Sequence, residues 1–167
     1  MRSVVLCVVF LAKVFICCAQ VPADELKKLR KKRVKNYAIT GSLVLLAGAA
    51  DGVNQALVYK YGGVKKVFPN LNDHYWWPVK SAYNKYKNGD PALGAKFPGS
   101  RTWLVFTTDG YHMTRFVNHL FMSGAIAFKI VGREKKKWYV YVVEAAGYWI
   151  INRAGFCLTY NRFNIDF

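Results

Sequence analysis

The sequence predicts a mainly α fold: a small helical membrane protein with three or four apolar helices and an ordered, aromatic-rich loop over residues 60–101. Three observations predict it. Hydrophobic residues make up 53% of the 167-residue chain and gather in blocks, although mean hydropathy is only +0.06. The chain holds 5 Trp and 11 Tyr, whose rings carry one polar atom and suit a boundary between lipid and water. Lys and Arg number 25 against 9 Asp and Glu, and much of that excess sits in short clusters between the apolar blocks.

The first block, residues 3–19, is apolar apart from Ser3 and Lys13, with Arg2 before it and Cys17, Cys18 and Ala19 at its end. That outline fits residues 1–20 as a cleaved signal peptide or as a retained N-terminal membrane anchor. Residues 21–36 form a basic juxtamembrane segment, in which Asp24–Asn36 carries seven basic and two acidic side chains. The cysteines, Cys7, Cys17, Cys18 and Cys157, make no CxxC pair and read as small apolar side chains.

Residues 37–158 are expected to form the helical membrane domain, loop 60–101 included, with 159–167 as a C-terminal tail. The block from Tyr37 to Tyr59 has the length of a span at 1.5 Å per residue, but it carries Asp51, Asn54 and Gln55. Gly41, Gly48 and several alanines in it permit close helix packing. Loop 60–101 is punctuated by Gly62-Gly63, Gly89-Asp90-Pro91 and Pro98-Gly99, all turn signals. Between Pro69 and Pro78 lie Asp73, His74, Tyr75, Trp76 and Trp77, too many large rings for a structureless connection. A third block runs from Thr102 to Val131; the alternative is a break at Gly110 between a surface turn and the helix proper. The fourth, Trp138–Leu158, carries Glu144, Asn152 and Arg153. Glu144 is expected to pair with Lys129 or to reach the inner interface.

If the leader and all three later blocks span, both short inward connections are basic, as the positive-inside rule requires. This places the chain in the cytoplasmic membrane of a cell envelope with loop 60–101 outside. The alternative is an exported or periplasmic protein after signal cleavage. In the spanning topology Asp51, Asp109 and Arg153 all lie roughly 8–12 Å below the outer boundary. Two carboxylates and a guanidinium at one level offset each other's desolvation, with Asn54 and Asn152 joining the polar network.

Asp109 and His112 are three residues apart on one helix face, and His119 continues that face as a packed, hydrogen-bonded histidine. Asp109 and His112 are therefore the candidate catalytic pair. Asp51, Asp109 and His112 are the candidate ligands of a divalent metal, the one cofactor the pattern admits. A helix cap or a buried ion pair is the commoner use of such aspartates, as a turn cap is for Asp73. There is no G-x-S-x-G elbow, H-E-x-x-H, phosphate-binding loop or Rossmann fingerprint. The basic charge comes without zinc-finger, RNP or helix-turn-helix patterns, which makes nucleic acid a disfavoured partner. The function these observations predict is a small membrane or envelope component with a structural or partner-docking role. Its partners would be the lipid bilayer and a membrane protein or a second copy of itself. The alternative is a membrane-embedded hydrolase or transferase using the Asp/His site.

Overall fold

The structure, a computed structural model, describes residues 22–132 and 135–164. The signal-or-anchor segment 1–20 lies outside the described residues. Helix α1 is Ala23–Tyr59, and α2 (Tyr61–Val67), α3 (Asp73–Trp76) and α4 (Pro78–Ser81) follow it closely. The two remaining helices, α5 (Gly110–Val131) and α6 (Trp138–Tyr160), are long. The chain divides into two units after Ala38, and each is described by itself.

In the first unit, Asp24 and Glu25 place negative charge in the opening turn of α1, where it complements the helix dipole. The residues that follow, up to Lys35, are basic or apolar and all exposed.

In the second unit, the remainder of α1 is lined by residues small enough for other helices to approach its backbone. A Cβ on Gly48 would lie 2.0 Å from the Asn152 carbonyl oxygen, and one on Gly155 would lie 2.2 Å from that of Leu45. Side-chain amides and a hydroxyl fix the register. Asn152 Nδ2 donates to Val44 O at 3.3 Å and Thr159 Oγ1 to Ala49 O at 2.9 Å, joining α1 to α6. Asn118 Nδ2 donates to Ala47 O at 2.7 Å, joining α1 to α5. The core gathers at the C-terminal end of α1, where Ala56, Leu57, Val64 and Phe163 are buried with Tyr61, Leu71, Trp76 and Tyr160 packed on them. Glu144 does pair with Lys129, at 2.9 Å, and also with Lys136, at 2.5 Å.

Residues 68–109 are held by short helical turns rather than by strands. One antiparallel bridge joins Tyr86 to Ala95. Ser100, fully buried, donates its hydroxyl to Lys85 O at 2.8 Å.

The predicted set of three or four membrane spans is not what the described residues show. One helix alone, α1, is long and apolar enough to cross a membrane by length and composition. Two features explain the shortfall. The face of α5 is broken by His112, Arg115, Asn118, His119 and Lys129, and α6 owes much of its apolar character to Trp and Tyr, which are only weakly hydrophobic as whole residues. The core helix of a globular domain and a signal segment near the N-terminus meet the same criteria of length and composition. That count removes the basis for placing the chain in the cytoplasmic membrane with loop 60–101 outside. The exported or periplasmic alternative rests on cleavage within residues 1–20, which lie outside the described residues. The bilayer, and the membrane-protein partner or second copy expected within it, lose the support of those spans as well.

Candidate functional site

The site begins with a helix cap. Asp109 has extended backbone (φ −159°, ψ 159°), and its Oδ1 accepts from the His112 backbone N–H at 2.8 Å, one of the four amides a helix start leaves without a partner. The Asp-Gly dipeptide has a second cause. A Cβ on Gly110 would lie 2.3 Å from the Trp76 indole, so only glycine lets that ring close over the start of α5. From α1, buried Asn54 donates its amide to Tyr111 O and to Thr114 Oγ1, both at 2.8 Å, which fixes the first turn of α5. Asn84 Nδ2 donates to Thr108 O at 3.2 Å and ties the preceding loop to the same place.

These contacts bury the Asp109 carboxylate, which is 2% exposed. It remains well solvated by protein donors. The Thr108 hydroxyl lies 3.0 Å from Oδ2, and His112 Nδ1 lies 2.7 Å from Oδ2 and 2.9 Å from Oδ1. A carboxylate can only accept, so the ring proton sits on Nδ1 and Nε2 is the nitrogen left for another partner. The nearby carboxylate also acts on Tyr75, whose phenol is pushed up by burial first and by the Asp109 charge second.

Beside this pair lies a cavity of about 330 Å³. Val58, Pro78 and Ala82 supply apolar wall, and Ser81, Lys85, Tyr111, His112 and Asp109 supply the polar one. Ser81 is buried, and its hydroxyl has no hydrogen-bond partner among the described residues. The volume falls at the lower end of small-molecule sites, and the lining has their usual character of apolar wall with a few convergent polar groups.

A second polar cluster lies near the end of α1. Asp73 is not a turn cap, because Asn72 takes that role for α3. Its carboxylate accepts from Lys65 Nζ and from Tyr61 Oη, both at 2.8 Å, with Lys80 at 3.4 Å. The Lys65 and Tyr61 hydrogen bonds hold it at about 2. Burial and the same carboxylate push Tyr61 up to about 12.

Of the residues singled out in the sequence, Asp109 and His112 come together and the others do not. Asp51, half buried on α1, stands apart from them, and no group of three His, Cys, Asp or Glu side chains among the described residues could hold a metal. Arg153 is exposed and lies over the Phe156 ring at 4.5 Å rather than on a carboxylate. Asn54 and Asn152 bond separately, one towards α5 and one back to α1. His119 is exposed, not packed. Comparison with known proteins adds nothing to this. No family model, no curated protein and no solved structure matches the chain.

The expected function falls with these findings. A structural membrane component and a membrane-embedded hydrolase or transferase both need the spans, and the metal-dependent form of the latter also needs ligands that do not come together among the described residues. Sequence reasoning missed Ser81 and Lys85. Both lie in the irregular region before α5, where no periodicity marks which side chains face one another.

Proposed function

We propose that the protein binds a small organic carboxylate in the cavity beside α5. The observation that carries this reading is the buried Asp109 holding His112 by Nδ1 at the wall of a cavity that Lys85 also lines. Lys85 brings a positive charge to the cavity wall, which suits one carboxylate. The anion would accept from Lys85 Nζ beside the His112 ring, and from the Ser81 hydroxyl, which has no other partner among the described residues. A short hydrocarbon tail would lie on Val58, Pro78 and Ala82. Here His112 is a ligand contact and Asp109 its positioning residue. Binding is favoured over nucleophilic catalysis because the Ser81 hydroxyl makes no hydrogen bond to the His112 ring among the described residues.

Titration calorimetry of the full chain tests this with butyrate, butanol and inorganic phosphate. Butyrate should bind, butanol should not, and Lys85→Met should weaken butyrate about tenfold or more, as expected for a lost hydrogen bond to a charged group. Equal binding of butanol, or an unchanged butyrate affinity in Lys85→Met, would overturn the reading.

A further inference from the structure

The basic stretch of α1 lies outside the cavity and needs its own account. Between Lys27 and Lys35 seven of nine residues are Lys or Arg, and all nine are exposed. No acidic residue occurs from Leu26 to Ala50. Eight steps of about 1.5 Å carry these seven charges, which is about one per 1.7 Å of helix axis. Duplex nucleic acid carries one phosphate charge per about 1.7 Å of its own axis. The two linear charge densities match.

The arrangement works against the isolated helix. Lys27 and Lys31, Lys28 and Lys32, and Lys31 and Lys35 are like-charge neighbours at i,i+4, each of which weakens a helix. Their position in the N-terminal half of α1 gains nothing from the dipole, which favours cations at the other end. A polyanion would remove that repulsion. At 100° per residue the cations also point all round the axis, with only Leu26, Leu29 and Val34 as apolar neighbours. A helix lying in a lipid surface needs a continuous apolar face, and this segment has none. A helix in the major groove, by contrast, has phosphates on both sides of it, and the groove is about as wide as a helix with its side chains. One face already forms a groove of about 410 Å³ between Lys27, Arg30, Lys31, Val34 and Lys35.

We propose that α1 docks through Lys27–Lys35 on the phosphate backbone of duplex nucleic acid, without reading its sequence. The lack of a zinc finger or helix-turn-helix pattern does not oppose this, since those modules serve base readout and backbone contact does not require them. The test is fluorescence anisotropy of the full chain on a labelled 20-base-pair duplex of random sequence, at 50 and 200 mM NaCl. Five to seven phosphate contacts correspond to an affinity loss of about 500- to 6,000-fold between those salts. Changing Lys27, Arg30, Lys31 and Lys35 together to Gln should reduce the slope of log affinity against log salt by about 3.6. Circular dichroism should show that variant to be at least as helical as the parent. Absence of duplex binding at 50 mM salt, or an unchanged slope in the helical variant, overturns the proposal. So does tighter binding to phosphatidylserine vesicles than to the duplex.

Discussion

Gly155 and Gly147 lie two turns apart on α6, and the structure gives their replacement by alanine opposite signs. A Cβ on Gly155 would meet Leu45 O at 2.2 Å and Ala49 N at 3.0 Å, both backbone atoms of α1 that no rotamer change can move. The first contact is more than 1 Å inside the ~3.5 Å at which non-bonded carbon atoms attract best. Relief requires α1 and α6 to part by about that much, which stretches the Thr159–Ala49 and Asn152–Val44 hydrogen bonds. Overpacking of this kind costs about 1–3 kcal/mol. At ~2–4 °C per kcal/mol for a chain of this length, Gly155→Ala should melt about 2–12 °C lower. Gly147 has nothing within 4 Å of its added Cβ, so alanine there contributes its helix propensity alone, up to ~1 kcal/mol, and should raise the midpoint by about 1–4 °C. Thermal melts of the two variants beside the parent, followed by circular dichroism at 222 nm, decide the matter. If Gly155→Ala melts at or above the parent, or both changes shift it the same way, the close packing of α6 on α1 is wrong.

Asn54→Ala removes the buried amide that holds the first turn of α5, and urea unfolding should show a loss of about 1–3 kcal/mol. Gly110→Ala forces the Trp76 ring away from the helix start, so it should lower stability and shift the tryptophan emission maximum. Asp73 titrates below its unfolded value, so its ion pairs favour folding at pH above the ordinary carboxylate range and lose that contribution as pH falls towards about 2. Carbon NMR of the Asp73 carboxyl should give a midpoint near 2, rising towards the ordinary value in Lys65→Met, whose hydrogen bond is the largest cause of the shift.

What could be read from the sequence was local. The cap at Asp109 and its pairing with His112 were both legible and both are there, although the third block was begun at Thr102 and the helix starts at Gly110. The Lys129–Glu144 pair and the extent of α6 were legible for the same reason, since each depends on residues near one another in the chain or on an unbroken run. Asp51, Asp109 and Arg153 do not form one polar site, because height along a helix says nothing about direction around it. Arg153 lies over the Phe156 ring, and Asp51 joins Asp109 and His112 in no metal-holding group among the described residues. The start of α1 was placed at Tyr37 because the apolar block begins there, yet a helix needs only its backbone bonds, and the basic residues before Tyr37 continue it. Ser81 and Lys85 reach the cavity through the fold of residues 68–109, which rests on contacts such as Asn84 to Thr108 and Ser100 to Lys85 that no periodicity encodes.

The most direct test of the carboxylate site is an NMR titration of the isotope-labelled chain with butyrate, followed at the His112 ring and Lys85 side-chain resonances. Both should shift along one saturating curve, with the Val58 methyls moving at the same ligand concentrations. Shifts confined to the exposed cations of Lys27–Lys35, or no saturation at His112, would contradict it.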